Sequence, residues 1–156
     1  MTFTEPLPLY HSWPLFEREE HLDLHGPDHG GLLTAGAALS ARDGEELAQQ
    51  GVGIWHCDLA DNSLSWSAGV YDIFGLQRGA AVARQDVLPL YCEESRVVME
   101  WLRAYAIKHK RGFTVDSEIR PALGRSRWMR LTAAPICEGR RVVGLQGIKR
   151  LVAGPA

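Results

Sequence analysis

The chain has 156 residues, 46% of them apolar, which fits one core of ordinary size plus extensions. Its formal net charge is −2, with the basic residues dispersed except at Lys108, Lys110 and Arg111, so there is no electrostatic footprint for nucleic acid. Cys57, Cys92 and Cys137 are odd in number, widely separated and without a C-x-x-C pair, which argues against a disulfide framework and against a zinc site.

The N-terminus carries Glu5, Pro6 and Pro8 in place of a basic segment followed by an apolar run. No apolar stretch approaches the roughly 20 residues that a bilayer span requires. A cytoplasmic protein with no membrane partner is expected. Residues 1–12 read as irregular, because prolines deny regular pairing. Pro14 suits a first helical turn, Glu17, Glu19 and Glu20 lie near its positive end, and Gly26-Pro27 is a stop, so a helix is predicted over 13–25. Gly30 to Leu39 is compatible with a helix of small residues or with a connector. Asp43 and Glu46 form a capping-box pattern that starts a short helix ending before Gly51.

Alternating Trp55, Cys57 and Leu59 predict a strand over Ile54 to Leu59, turned at Asp61-Asn62 into a second strand at Ser63 to Trp66. Ser67 caps one or two helical turns that end at Gly75, and another short helix is predicted over Arg84 to Leu88. A long helix begins near Glu93, Glu94 and Ser95. Its stripe is read as Val98, Trp101, Leu102 and Tyr105, at i, i+3, i+4, i+7 spacing, and it ends in Lys108, His109, Lys110 and Arg111. Acid at its start and base at its end both complement the helix dipole. Three strands follow. Phe113, Val115, Ser117 and Ile119 alternate with charged residues, Met129, Leu131 and Ala133 alternate with Trp128, Arg130 and Thr132, and Val142 to Ile148 closes the pattern. The expected class is α+β, five antiparallel strands with helices on one face.

This order of elements, with Gly51-Val52-Gly53-Ile54-Trp55, Tyr71-Asp72-Ile73-Phe74-Gly75-Leu76, Glu118-Ile119-Arg120, Arg127-Trp128 and Gly144-Leu145-Gln146-Gly147, resembles a PAS domain with its C-terminal PAC strands. The resemblance places the domain at 43–151, after an N-terminal extension of residues 1–42 and before a short tail at 152–156. It implies a stand-alone sensory box of bacterial regulator type, and the short tail leaves no room for an attached catalytic domain. The chain departs from relatives in two places. Tyr91-Cys92-Glu93-Glu94 stands where His-Pro-Glu-Asp is common, and Gly147-Ile148-Lys149-Arg150-Leu151 lacks the Asp-Ile-Thr type signature that couples such sensors to an output helix.

No hydrolase, kinase or dinucleotide-binding motif is present, so no catalytic residue is assigned and an enzyme is not expected. His21, His25 and His29 share a spacing of four, but Gly26-Pro27 breaks that face and the histidines read as solvated, so no metal site is assigned. The resemblance implies a pocket between the inner sheet face and the short helices. Tyr71, Phe74, Trp101, Tyr105, Ser117 and Met129 are its candidate lining residues. The sequence requires no cofactor. Haem on His109 or another small molecule is the alternative, and a flavin photosensor is disfavoured because Ser67 to Gly75 carries no cysteine. The leading function is a non-catalytic signal-sensing or protein-interaction module, acting as a homodimer or by docking to a separate signalling protein; the third reading, after the small-molecule sensor, is a small α+β enzyme with Ser117 or His56 as the polar group in a cavity. A short N-terminal helix needs a surface to bury its apolar side, so Trp13, Phe16 and Leu22, with Trp66 or Trp128, are the candidate interface residues.

Overall fold

The computed structural model describes residues 11–24 and 40–154. Its centre is an antiparallel sheet in the order β1-β4-β5-β6-β2-β3. The strands are β1 (Ser12–Pro14), β2 (Val52–Asp58), β3 (Ser63–Trp66), β4 (Arg111–Ile119), β5 (Arg127–Glu138) and β6 (Arg141–Val152). The helices are α1 (Arg18–His21), α2 (Ala41–Gln49), α3 (Ala68–Phe74), α4 (Arg84–Val87) and α5 (Glu93–His109). Among the described residues no helix is long and apolar enough to cross a membrane.

The α+β class holds, but the sheet has six strands rather than five. The extra strand comes from the segment read as a helix over 13–25. Residues 12–14 instead pair with β4, Ser12 opposite Phe113 and Trp13 opposite Gly112, and only Leu15–Glu17 and Arg18–His21 are helical. Pro14 serves here as the last residue of an edge strand, where its missing N–H leaves no inner ladder unpaired. The Trp13 indole lies flat on Gly112, where an added Cβ would come within 2.1 Å of the ring. Its Nε1 donates to Thr114 Oγ1 at 3.1 Å, and its face stacks on His21 at 4.1 Å.

Alternation splits the sheet into two buried layers. Trp55, Cys57, Phe113, Val115, Ile119, Met129, Leu131, Ala133 and Leu145 point inward against α3, α4 and α5. Val52, Ala134 and Ile148 point outward and are covered by Trp13, Leu22, Leu24 and Leu47. The N-terminal segment therefore packs on its own sheet. Trp13 and Leu22 are 4% and 1% exposed, so two of the expected interface residues already have their surface within the chain, while Phe16 stands 87% exposed. Trp66 turns inward. Trp128 lies on the outward row, half-buried, with Gly154 across its indole.

Local chemistry fixes the helices. Ser40, not Asp43, caps α2: its Oγ accepts from the Asp43 amide at 3.1 Å and donates to the Asp43 carboxylate at 2.7 Å. Ser67 spends its hydroxyl on the Ile54 amide at 2.8 Å, which ties the start of α3 to β2. Gly69 of α3 faces Gly53 of β2 so closely that a Cβ on Gly69 would lie 1.9 Å from the Val52 carbonyl oxygen. The same helix ends at Gly75 in the left-handed region, φ 68°. Asp72 and Glu45 both bind Arg78, which links α3 to α2.

The long helix runs over Glu93–His109 as its dipole cues predict, but its buried face is Val98, Met99, Leu102 and Ala106. Trp101 is 48% exposed and stacks on Tyr105, which in turn packs on His109. The stripe is rotated from the predicted one. The two aromatic side chains use their size to cover the helix exterior, and smaller Met99 and Ala106 let the helix sit close to the sheet.

Candidate functional site: the inner cavity

Between the inner sheet face and the helices lies a cavity of about 60 Å³. Its walls come from four directions. Strands β2 and β3 supply Trp55, Cys57, Leu64 and Trp66, and α4 with the turn after it supplies Arg84, Val87, Leu88 and Tyr91. Helix α5 supplies Met99 and Arg103, and β4 to β6 supply Phe113, Leu131, Leu145 and Lys149.

The backbone explains why these side chains meet. In β6, Leu145, Gly147 and Lys149 fall on one face by the two-residue period, and Lys149 lies opposite Gly53 and Leu131 in the neighbouring strands. Gly53 has no side chain because α3 takes that space: a Cβ there would lie 2.4 Å from the Val70 amide nitrogen. Residues 90–92 zip against the end of β4: the Cys92 amide donates to the Glu118 carbonyl at 2.9 Å, the Arg120 amide to the Leu90 carbonyl at 2.7 Å, and Tyr91 bridges Ile119. That pairing aims the Tyr91 ring into the core, and burial pushes its phenol well above the usual range.

Lys149 is the unusual group. It is 7% exposed, and its Nζ sits 4.9 Å from the centre of the Phe74 ring, 5.3 Å from Trp55 and 5.8 Å from Trp66. The negative ring faces offset part of the cost of removing an ammonium from water. They do not cancel it: burial pushes the Lys149 amine down to about 7, with Arg84 opposing its charge as well. Arg84 is itself held down, first by burial and then by repulsion from Arg103. Arg84 pairs with Glu100 and Arg103 reaches Asn62 at 3.2 Å. The lining residues thus include three basic side chains and neither a carboxylate nor an imidazole. Trp55 Nε1 and Trp66 Nε1 are buried donors without a protein acceptor among the described residues.

The predicted pocket residues lie around this cavity rather than in its lining. Phe74 forms a second layer, stacked on Trp66 at 5.3 Å. Tyr71 meets Trp66 edge-on at 5.2 Å and donates its hydroxyl to the Ala80 carbonyl at 2.8 Å. Met129 and Ser117 are fully buried in the inner layer, and the Ser117 hydroxyl has no partner there. Trp101 and Tyr105 are on the far side of α5. His109 is exposed at the end of that helix, remote from the inward face. His21 stacks on Trp13 and bonds Glu17 at 3.2 Å, while His25 and His29 lie outside the described residues.

Sequence reasoning did not single out Cys57, Arg84, Arg103 and Lys149 as cavity residues. For Lys149 a signal existed: a lysine in phase with Leu145 and Gly147 is a charge on the inward row of a central strand. Arg84 and Arg103 gave none, since short and amphipathic helices carry arginines on solvent faces routinely.

The antiparallel sheet with its helical layer superposes on solved structures over about two thirds of the chain. The N-terminal domain of a diguanylate cyclase with PAS/PAC sensor from Marinobacter aquaeolei superposes with a TM-score of 0.59 at 12% identity, covering 65% of this chain and 95% of that one. The PAS domain of a protein from Colwellia psychrerythraea gives 0.57 at 18% identity, covering 72% and 95%. This chain has the PAS fold.

An RNA-binding light-oxygen-voltage receptor also superposes, with a TM-score of 0.58 at 15% identity over 67% of this chain, which spans 31% of that receptor's length. No family model and no curated protein sequence matches. Identities this low establish the PAS fold and leave function to the site. The wall composition of this PAS cavity suits binding: aromatic and aliphatic surface with a few basic donors.

Proposed function

We propose that this PAS module is a non-catalytic signal sensor whose input is a small molecule held in the inner cavity. The observation that carries the reading is Lys149, an amine buried in that cavity without a hydrogen-bonded or ionic partner among the described residues. A lone buried cation is costly, and such groups are kept at functional sites. The wall offers Lys149 no carboxylate or imidazole as the second member of an acid–base pair, which favours binding over catalysis. The size of the cavity speaks against haem. About 60 Å³ is space for roughly four to six water-sized positions, far below a macrocycle. His109 points away from it.

Output passes through an interface, to a second copy of the chain or to a separate signalling protein, in a soluble cytoplasmic setting. Trp13 and Leu22 are committed to their own sheet, so Phe16 and the half-buried Trp128 are what the outer surface offers a partner. The test is a native mass spectrum of the freshly purified protein beside its tryptophan emission before and after mild acid extraction. A retained small mass, with an emission change on its removal, is the expected result. Failure of a library of small molecules to shift either emission or melting temperature overturns the sensor reading. The same spectrum reads subunit number.

A further inference from the structure

The charge distribution of the cavity goes further than its existence. Lys149 closes one side from β6, Arg84 stands on α4 and Arg103 on α5, and after burial the charge of Arg103 helps to hold Arg84 down. The titratable and charged groups around Lys149 are Cys57 from β2, Arg84, Tyr91, Arg103 and, through its pair with Arg84, Glu100. One carboxylate among three cations leaves the site short of negative charge. Two buried indole N–H groups in the same wall add donors and no acceptor. The remaining lining, Leu64, Val87, Leu88, Met99, Phe113, Leu131 and Leu145, is apolar, most of it aliphatic. An occupant that complements both halves has one anionic acceptor group and a short apolar body.

We propose that the cavity binds a small monocarboxylic acid of about two to four carbons, its carboxylate paired with the Lys149 ammonium and its alkyl end against the aliphatic wall. The proposal rests on the sensor reading above and names its ligand class. Inorganic anions of similar size satisfy the lysine but leave the apolar wall facing a hydrated ion, and neutral molecules leave the ammonium unpaired. Pairing also explains the tolerance of a lysine whose amine is otherwise driven toward its neutral form: a bound carboxylate raises its proton affinity again, so binding takes up a proton near neutral pH.

The experiment is calorimetric titration of the full chain with propionate, propionamide and nitrate, in a carboxylate-free buffer, at about pH 6 and about pH 9. Tryptophan emission is followed in parallel. Propionate is expected to bind at micromolar to millimolar concentration, at least tenfold tighter than propionamide or nitrate, and more than tenfold weaker at the higher pH. Lys149→Met, which keeps the length of the side chain and removes its charge, is expected to fold, to melt no lower than the parent, and to lose propionate binding at least tenfold. Equal binding of propionamide, equal binding of nitrate, or retention of propionate affinity in Lys149→Met overturns the carboxylate assignment. If propionate fails while neutral fragments shift the melting temperature, the ligand class is wrong and the sensor reading stands. If neither acts, both fall.

Discussion

Lys149 is the residue at which stability and function oppose each other. Burial pushes its amine down to about 7 in the folded chain, from an ordinary value of 10.5. Between those values the unfolded chain binds more protons, so stability rises with pH across that window; below about 7 both states are protonated and the full cost of the buried charge is carried. Lys149→Met removes that cost. We expect it to stabilise the fold by about 1–4 kcal/mol at pH 6 and to flatten the rise between neutral and alkaline pH, read by urea denaturation across a pH series. Cysteines report burial at the same scale. Cys137 is exposed, Cys57 is 3% exposed, and burial pushes the half-buried Cys92 thiol up. Under native conditions a thiol reagent should modify Cys137 first and Cys57 at the rate of unfolding.

At the scale of elements, two glycine contacts set the positions of segments around the cavity. Helix α3 approaches β2 through Gly69, where a Cβ would meet the Val52 carbonyl at 1.9 Å. Backbone cannot yield as a flexible side chain does, so Gly69→Ala should cost about 1–3 kcal/mol or more and move Phe74 and Trp66 with the helix; denaturant unfolding and indole emission would show both. Trp13 plays the corresponding part outside. Its indole fills the space over Gly112 and closes the outer cluster with Leu22, Leu24 and Ile148. Trp13→Ala should cost about 3–5 kcal/mol, a large value for an edge strand of three residues. A loss under about 1 kcal/mol in urea would mean the N-terminal segment contributes little to this sheet.

For the whole molecule, the sheet order concentrates stability at its middle. Strands β5 and β6 have 12 residues each and are paired on both sides, while β1 and β3 are short edges. Amide exchange should be slowest at Leu131, Ala133 and Ile148 and faster by orders of magnitude in β1 and β3. A ligand in the cavity touches α4, α5 and β6 together, so the same measurement with and without ligand shows whether protection spreads through the sheet or stays at the wall. The packing of the N-terminal segment on the outer face also limits how two copies can meet, because that face is largely closed by Trp13, Leu22 and Leu24 of the same chain.

Local pattern determined a great deal by itself. The period-two rows of β4 and β5, the Ser63–Trp66 strand, the stop at Gly75 and the ends of α5 were legible because each rests on a few neighbouring residues: alternation, a left-handed glycine, charges matched to a dipole. The PAS order of elements followed from them. What the sequence left open depended on contacts between distant segments. Residues 12–14 pair as a strand because β4 offers an unfilled edge about a hundred positions away, which outweighs a helix start read from Pro14 and three glutamates. Trp101 turns outward because Val98, Met99, Leu102 and Ala106 take the buried face of α5. The cavity cations come from α4, α5 and β6, and no periodicity within any one of them reveals that they face each other. Local propensity selects the elements; the packing of one surface against another decides which side chains share the space between them.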